Sequence, residues 1–161
     1  MPKSINITPN QRAFLDMLAK SEGTSTSKFT KNDGYDVIVG GINSPNIFTD
    51  YTNHPNKLVT VNKAGLKSTA AGRYQLLYKW YVAYKKLLSL PDFSPVSQDR
   101  IAIEQIKEQG AFKDIEAGRI QDAIKKCSNI WASLPGNNYK QAQRSVAWLI
   151  AAYKAAGGTV A

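Results

Sequence analysis

Apolar residues recur at helical spacing near the start of the chain. The stripe consists of Phe14, Leu15, Met17 and Leu18. Thr8 and Gln11 have the residue types and the spacing of a capping box ahead of it, with Pro9 at the first helical position. Gly23 is a natural stop, because glycine readily adopts the left-handed conformation that follows a helix. The pattern predicts a first helix over residues 9–22.

The pattern changes to short alternating runs between residues 35 and 61. Tyr35–Val39 alternates and is rich in β-branched residues, and Ile47–Thr49 and Leu58–Val61 are similar runs separated by proline and asparagine. We expect two or three short antiparallel strands, which form a minor β lobe over 35–61.

Helical periodicity returns after Gly72. The predicted helices cover residues 74–90, 97–109, 111–117, 119–133 and 140–156. The plan is α+β: a single domain over 1–161, with the β lobe and a helical lobe formed by 1–34 and 72–161. We expect a functional site in a cleft between the two lobes.

The chain is basic, with 21 Lys and Arg against 12 Asp and Glu among 161 residues, a formal net charge of +9. This charge favours a polyanionic partner, such as nucleic acid, anionic lipid or a cell-wall polymer. One cysteine cannot form an intramolecular disulfide, and no stretch has the length and apolarity of a signal peptide or a membrane span. We therefore expect a monomer made in the cytoplasm, without stable membrane insertion.

The residue inventory limits the chemistry. His54 is the only histidine, which argues against a zinc hydrolase, and its position in a turn predicts a solvated loop residue. Cys127 lies inside a predicted helix and is expected to be small, buried and unreactive. The sequence has no phosphate-binding loop or metal-ligand motif, so no cofactor or metal is expected. Carboxylate chemistry remains, and it makes glycoside cleavage the leading enzymatic option.

Glu22 is the carboxylate whose position is most unusual. It follows Leu15 and Leu18 at spacings that place it near the buried stripe of the first helix. It also lies in the last turn, where the negative end of the helix dipole disfavours another negative charge. Both effects raise the pKa of a carboxyl group, as a general acid requires. The alternative is a frayed surface glutamate beside Gly23.

Several segments carry a family resemblance. They include 13–24, with Ser21-Glu22-Gly23-Thr24, then 34–41, 48–51, 66–69, 72–77, 92–95 and 127–136. These segments resemble those of the lambda-type phage endolysins, and the resemblance covers nearly the whole chain. Departures occur at 42–46, which looks like an insertion, and around 137–138, and they leave substrate preference open.

The resemblance implies a lysozyme-like fold and a lytic transglycosylase that acts in host cell lysis. In this family the catalytic glutamate corresponds to Glu22. It protonates the oxygen between N-acetylmuramic acid and N-acetylglucosamine, then acts as base on the muramyl C6 hydroxyl to close a 1,6-anhydro ring. Water does not attack, so no second carboxylate is needed. The resemblance also implies a separate holin that releases the enzyme from the host cytoplasm to the periplasm, where peptidoglycan glycan strands are its partner.

The candidate substrate-binding residues are Asp36, Ser68, Arg73, Tyr74, Gln75 and Tyr139. The segment 72–75 resembles the Gly-x-x-Gln element of lytic transglycosylases, and Gln75 could bond an acetamido group or simply be a polar residue at a helix start. Asp36 could contact the substrate or its neighbours, or be a charge that blocks pairing at a sheet edge. Tyr139 could form a flap over the sugars or cap the last helix.

Two other functions remain open at this stage. A hydrolytic muramidase would use Asp33, Asp36 or Asp50 to place a water molecule. A basic nucleic-acid-binding module would cluster Lys and Arg on one face among aromatic residues. The basic residues are instead scattered. The short pairs Lys85-Lys86 and Lys125-Lys126, for example, lie on two different predicted helices. We therefore expect no nucleic-acid partner and ascribe the charge to adhesion to the anionic envelope.

Overall fold

The structure is a computed structural model that describes residues 6–43, 45–137 and 143–161. Its elements, in chain order, are α1 (Pro9–Glu22), β1 (Val59–Thr60), β2 (Lys67–Ser68), α2 (Tyr78–Leu87), α3 (Pro95–Glu108), α4 (Phe112–Glu116), α5 (Ile120–Cys127) and α6 (Val146–Ala155). Helices and a small antiparallel sheet in separate stretches of chain match the expected α+β class.

Helix α1 begins and ends as its sequence predicts. The Thr8 hydroxyl accepts a hydrogen bond from the Gln11 amide, and the Gln11 side-chain oxygen accepts one from the Thr8 amide, both at 3.2 Å. This is the reciprocal capping box. Glu22 is the last helical residue, and Gly23 follows in the left-handed conformation with φ 81°. The capping prediction is confirmed.

The chain forms two compact units. The first, which we call the sheet unit, is Gly23–Ile101, and the second, the helical unit, contains Lys3–Glu22 and Ala102–Ala161. In the helical unit α1 packs against α4 and α6, and α5 contacts α4 and α6. The sheet unit is larger than the expected 35–61 lobe, because much of its apolar core comes from residues 71–101. The single domain over 1–161 stays a prediction.

Among the described residues the sheet has two antiparallel strands, a number within the prediction, but only β1 lies in a predicted run. Strand β1 pairs antiparallel with β2, with Val59 opposite Ser68 and Thr60 opposite Lys67. The predicted runs at 35–39 and 47–49 form only isolated antiparallel bridges, such as Val37 with Ile47. Gly40-Gly41 and Pro45 interrupt these runs, so neither extends into a ladder. The expectation of strands there was wrong, and β2 was not foreseen.

Several helices are shorter than expected. Helix α2 begins at Tyr78 rather than at residue 74, because Gly72 and Gln75 have positive φ values of 85° and 54° that no α-helix accommodates. Helix α5 ends at Cys127 rather than at residue 133. Helix α6 begins at Val146, where the Ser145 side chain accepts a hydrogen bond from the Trp148 amide. Helices α3 and α4 lie close to their predicted ranges.

His54 is buried rather than solvated, so the expectation from its turn position was wrong. Its ring centroid lies 4.9 Å from that of Phe93 and 5.7 Å from that of Tyr81. The Asn56 amide donates to Nδ1, so Nε2 carries the proton and donates to the Leu76 carbonyl at 2.7 Å. Burial lowers the pKa of this imidazole. His54 is therefore a neutral core residue of the sheet unit.

Two further expectations concern the reactivity of Cys127 and the presence of membrane-spanning helices. Cys127 is buried, and burial raises the pKa of its thiol to about 12, so it is unreactive as predicted. Within the described ranges, none of the helices has the length and apolarity needed to cross a bilayer.

Candidate functional site

Glu22 has the electrostatics that its position predicts. Its Oε2 atom is buried and has no hydrogen-bond partner among the residues that the structure describes. Burial raises the pKa of the carboxyl group, while a hydrogen bond with the Ser133 side chain and the positive charge of Arg144 oppose that rise. A carboxyl group that keeps its proton more readily than free glutamate suits a general acid. The expected direction of the pKa shift is confirmed, with burial as its largest cause.

Two buried serines accompany Glu22 in the helical unit. The Ser21 and Ser133 hydroxyl oxygens lie 2.7 Å apart, although 112 residues separate them in the chain. The Arg144 amide donates to the Ser133 carbonyl at 2.8 Å, and the Arg144 guanidinium reaches the Ser21 carbonyl at 3.5 Å. Arg144 thus connects the end of α1 to the segment that follows α5.

Arg144 is itself held by an aromatic ring. Its guanidinium lies 4.5 Å from the Trp148 ring centroid, and the Lys20 ammonium lies 5.6 Å from the same ring. Trp148 is partly exposed, and its ring carries these two cations. Trp131 is buried.

The segment Gly72–Gln75 forms a tight turn in the sheet unit. A side chain at Gly72 would place a Cβ 2.5 Å from Gln98 Oε1 and 2.8 Å from Phe93 Cζ, so only glycine fits. The Gln98 Oε1 accepts from the Arg73 amide at 2.8 Å, and its Nε2 donates to the Tyr35 and Phe93 carbonyls. Gln98 is buried and holds the turn in place.

Arg73 and Tyr74 are buried in a polar network around Asp99. The Arg73 guanidinium donates to the Tyr74 hydroxyl at 3.1 Å, and that hydroxyl donates to Asp99 at 2.6 Å. Asp99 also accepts from the Tyr35 hydroxyl at 2.9 Å. Arg73 further pairs with Asp33 at 3.3 Å. These side chains stabilise the turn from inside, and their role towards a substrate stays a prediction.

Gln75 is half-buried and has a left-handed backbone with φ 54°. Its side-chain Nε2 donates to the Gly72 carbonyl at 2.9 Å and to the Val37 carbonyl at 3.3 Å. A non-glycine residue in this conformation costs energy, and such strain often accompanies a functional position. The two bonds fix the side-chain amide against the turn.

Asp36 and Ser68 have local partners. The buried Asp36 carboxylate accepts from the Thr30 hydroxyl at 2.5 Å and from the Lys31 amide at 2.9 Å, which anchors the preceding loop. Ser68 lies in β2, is half-buried, and accepts from the Ala70 amide at 3.1 Å. Tyr139 lies outside the described residues.

The other candidate carboxylates are more exposed. Asp33 is on the surface apart from its pairing with Arg73. Asp50 is exposed and bonds to Thr52, and these bonds lower the pKa of its carboxyl group. Among the residues described, no group of three or more His, Cys, Asp and Glu side chains is arranged to hold a metal ion.

A pocket of about 320 Å³ lies within the sheet unit. Its lining comprises Ile42, Asn43, Pro45, Lys57, Leu58, Val59 and Thr60. Ile42 and Leu58 are exposed there, which is unusual for large apolar side chains and suits contact with a ligand. The lining includes part of the 42–46 segment, which was singled out in the sequence as a departure from the resembled family.

The sequence singled out Glu22 and the 72–75 segment as candidates, but it did not single out four residues that bond near them. Ser133, Arg144, Gln98 and Asp99 were not singled out. Each of the four forms at least one hydrogen bond with a residue 25 or more positions away in the chain. No helical or strand periodicity encodes such pairings. The only available signal was that Ser133 lies within one of the resembled segments.

The comparisons with known proteins agree with this geometry. A model of the family described as Endolysin matches residues 12–160. The endolysin of Escherichia phage lambda is 57% identical over 157 residues, which cover 97% of this chain and 96% of that protein. The endolysin of Escherichia phage P2 is 54% identical over 162 residues, covering 98% of each.

Solved structures give the same answer for the fold. The lysozyme of bacteriophage lambda in complex with a chitohexasaccharide superimposes with a TM-score of 0.91 at 57% identity, covering 98% of this chain and 99% of that one. A second structure of the lambda lysozyme gives a TM-score of 0.87 at 56% identity with the same coverage. The expected lysozyme-like α+β fold is confirmed.

Proposed function

The chain belongs to the endolysin family of phage enzymes that degrade peptidoglycan in host lysis, and on this premise we propose that it is a lytic transglycosylase with Glu22 as its catalytic residue. The observation that carries the assignment is the buried Glu22 carboxyl, with a raised pKa and an Oε2 atom without a hydrogen-bond partner in the described part of the chain. A carboxyl group that keeps its proton to a higher pH than free glutamate can supply that proton to a glycosidic oxygen.

The proposed reaction uses one carboxyl group twice. Glu22 donates its proton to the oxygen that leaves muramyl C1, and the bond between that oxygen and C1 breaks. The Glu22 carboxylate then takes the proton of the muramyl C6 hydroxyl, whose oxygen bonds to C1 and closes the 1,6-anhydro ring. The carboxyl group ends protonated, so no water is consumed and no second carboxylate is required.

The candidate substrate-binding residues fall into two groups, one proposed to contact the sugars and one whose polar atoms bond inside the protein. We propose that Gln75, Ser68 and Tyr139 contact the sugars, as the resemblance implies, and that Asp36 acts on the loop 24–34, whose backbone its carboxylate anchors. For Arg73 and Tyr74 we propose a positioning role in place of direct contact, because their polar atoms bond to Asp33 and Asp99. The lambda lysozyme was solved with a chitohexasaccharide, and a glycan of the same kind fits this proposal.

The second candidate is a hydrolytic muramidase. It would need another carboxylate to activate water, and Asp36 is buried against Thr30 and Lys31 while Asp33 pairs with Arg73. Asp50 remains, but it is exposed and bonded to Thr52. None of these three carboxylates has the buried oxygen without a hydrogen-bond partner that distinguishes Glu22 from them among the residues described.

The cellular setting is also proposed from the family. A separate holin would release the enzyme from the host cytoplasm, and the enzyme would act as a monomer on the periplasmic cell wall without a cofactor. The net charge of +9 supports adhesion to an anionic envelope.

Mass spectrometry of digested peptidoglycan in ¹⁸O-labelled water tests the proposal. Transglycosylation yields 1,6-anhydro-muramyl products that are one water lighter than hydrolysis products and contain no ¹⁸O. Reducing-end products carrying ¹⁸O would instead establish the hydrolase. The Glu22→Gln variant serves as the background control in both cases.

A further inference from the structure

Helix α2 exposes large apolar side chains on the surface of the sheet unit. Its inner face is buried through Tyr81 and Tyr84, whereas Trp80, Val82 and Leu87 are 50%, 49% and 62% exposed. Single exposed apolar residues are ordinary on a protein surface, but three of them on a helix of ten residues form a patch. Such patches mark contact surfaces, and the proposed reaction of Glu22 makes no use of this one.

Lysines are interleaved with these apolar residues. Lys79 and Lys86 are exposed and seven residues apart, which is nearly two helical turns, so they lie on one line along the helix. Trp80 and Leu87 form a second line beside it for the same reason, and the Lys79 ammonium lies 5.2 Å from the centroid of the Trp80 ring. We call the surface formed by Lys79, Trp80, Val82, Lys86 and Leu87 the α2 face.

The α2 face belongs to a stretch of chain without acidic residues. Residues 51–91 contain seven of the 21 Lys and Arg residues and none of the 12 Asp and Glu residues. The first carboxylate after α2 is Asp92, and it acts on Lys85, which is half-buried and is not part of the α2 face. Arg100 adds an exposed cation beside the end of the helix, where its guanidinium reaches the Leu88 carbonyl at 3.5 Å.

A recess of about 480 Å³ borders the α2 face. Val82 and Lys86 belong to both, and Asn53 and Ser89 bring further polar groups to the lining of the recess. An ammonium and neutral hydrogen-bonding groups next to an apolar wall suit an amphiphilic group, such as a phosphodiester headgroup with the start of its glycerol backbone.

The combination of charge and apolar surface restricts the occupant. A second copy of the chain would bring the same cations against this face and would be repelled. Nucleic acid or an acidic polysaccharide would neutralise the lysines but would leave the aliphatic side chains of Val82 and Leu87 without an apolar partner. An anionic lipid surface satisfies both, because its phosphates attract lysines while tryptophan and leucine side chains enter the boundary between headgroups and acyl chains.

We propose that the α2 face is a peripheral binding surface for bilayers of anionic phospholipid. Lys79 and Lys86 lie at the headgroup phosphates, and Trp80, Val82 and Leu87 lie in the interfacial layer. The inference deepens the adhesion to an anionic envelope proposed above by naming its partner and its place on the protein. It does not depend on the role of Glu22.

Co-sedimentation of the full-length protein with large unilamellar vesicles tests the inference. The vesicles contain either phosphatidylcholine alone or equal parts of phosphatidylcholine and phosphatidylglycerol. We expect the wild type to sediment with the anionic vesicles and to stay in solution with the neutral ones. Added salt should release it, because salt screens the attraction between lysines and phosphates. Equal sedimentation with both kinds of vesicle would overturn the inference.

Two variants separate the contributions of charge and apolar contact. Lys79→Gln combined with Lys86→Gln should lower the partition coefficient for anionic vesicles about thirtyfold, because each lysine near an anionic surface contributes a factor of roughly five. Leu87→Gln should lower it about fivefold or more, because the interfacial layer no longer receives an aliphatic side chain. If Leu87→Gln binds like the wild type while the lysine variant does not, the occupant is a polyanion and the lipid assignment is wrong.

Matched controls come from the helical unit. Lys113→Gln combined with Lys125→Gln removes the same charge from exposed positions, and Val160→Gln replaces another exposed apolar side chain. Both should partition close to the wild type. Losses equal to those of the α2 variants would show that the net charge or general hydrophobicity, and not the α2 face, governs binding.

Activity on purified peptidoglycan separates lipid binding from catalysis. The Lys79→Gln and Lys86→Gln double variant should cleave it at the same rate as the Lys113→Gln and Lys125→Gln control, and a slower rate would place the α2 face at the glycan and overturn the inference. Glu22→Gln should bind anionic vesicles like the wild type. The α2 variants therefore test the lipid surface alone, and a failure of the proposed catalytic role of Glu22 leaves their result unchanged.

Discussion

The side-chain oxygen of Gln98 lies 2.8 Å from the Arg73 amide and accepts its hydrogen bond. This contact fixes the turn at Gly72–Gln75 to helix α3 within the sheet unit, and it leaves no space for a side chain at Gly72. The turn that resembles a substrate-binding element is therefore built from the inside by a buried glutamine.

Gly72→Ala should destabilise the protein severely. The left-handed φ of 85° costs a non-glycine residue about 1–2 kcal/mol, and the clash with Gln98 and Phe93 adds about 1–3 kcal/mol of overpacking. Urea denaturation gives the free energy of unfolding.

Gly23→Ala is the matched control, because Gly23 has nearly the same φ of 81° and its Cβ would meet nothing within 4 Å. Gly23→Ala should lose only the part of the free energy of unfolding that the left-handed backbone costs a non-glycine residue. Equal losses in the two variants would show that the packing around Gly72 does not constrain the turn.

Tyr74→Phe should cost more stability than Tyr35→Phe. Both hydroxyls donate to Asp99, but the Tyr74 hydroxyl also accepts from Arg73, so its removal leaves two buried groups short of a partner. We expect losses of about 2 and about 1 kcal/mol respectively in the free energy of unfolding, measured by urea denaturation. If Tyr35→Phe is equally costly, the link from Arg73 to Asp99 through Tyr74 contributes nothing.

The elements set by local chemistry could be predicted, and those set by distant contacts could not. The capping box of Thr8 and Gln11 and the stop at Gly23 gave both ends of α1, and the apolar stripe placed Glu22 against the core. The bonds that organise the site join residues far apart in sequence, such as Ser21 to Ser133. Residue spacing has no information about such pairs.

The errors have the same origin. His54 lies in a turn, where a solvated side chain is the usual outcome, but aromatic rings from residues 78–93 enclose it. The helix expected from residue 74 is delayed to Tyr78 by the left-handed residue Gln75, whose conformation its side-chain bonds sustain. Tertiary contacts decided both positions against the local tendency.

His54 predicts a loss of stability on mild acidification. Burial lowers its pKa below the ordinary value of 6.5, so the unfolded chain binds a proton first as the pH falls. The contribution of the neutral ring is complete above pH 6.5 and declines as the pH falls from there towards the folded-state pKa. The advantage of wild type over His54→Gln in urea midpoint should therefore shrink between pH 7.5 and 5.

His54→Gln, which lacks the only histidine of the chain, should lack this component of the pH dependence, although it is less stable than wild type at pH 7.5. Parallel profiles for the two proteins would assign the pH dependence to other groups.

The raised pKa of Glu22 predicts the opposite pH dependence of folding stability. Its pKa is raised above 4.5, so below pH 4.5 the folded and unfolded states are both protonated and the carboxyl group has no effect. As the pH rises towards the folded-state pKa, the unfolded chain ionises first and the folded protein loses relative stability. Glu22→Gln cannot ionise, so its advantage in melting temperature over wild type should grow between pH 4.5 and 7. A constant difference over this range would show that Glu22 titrates as free glutamate does.

Cleavage of purified peptidoglycan by Glu22→Gln, at a concentration where wild type clears the suspension, is the most direct test of the catalytic assignment. The substitution removes the transferable proton and nearly keeps the side-chain volume, so we predict loss of activity by at least about a hundredfold with an unchanged circular dichroism spectrum. A folded Glu22→Gln protein that clears peptidoglycan at close to the wild-type rate would contradict the account.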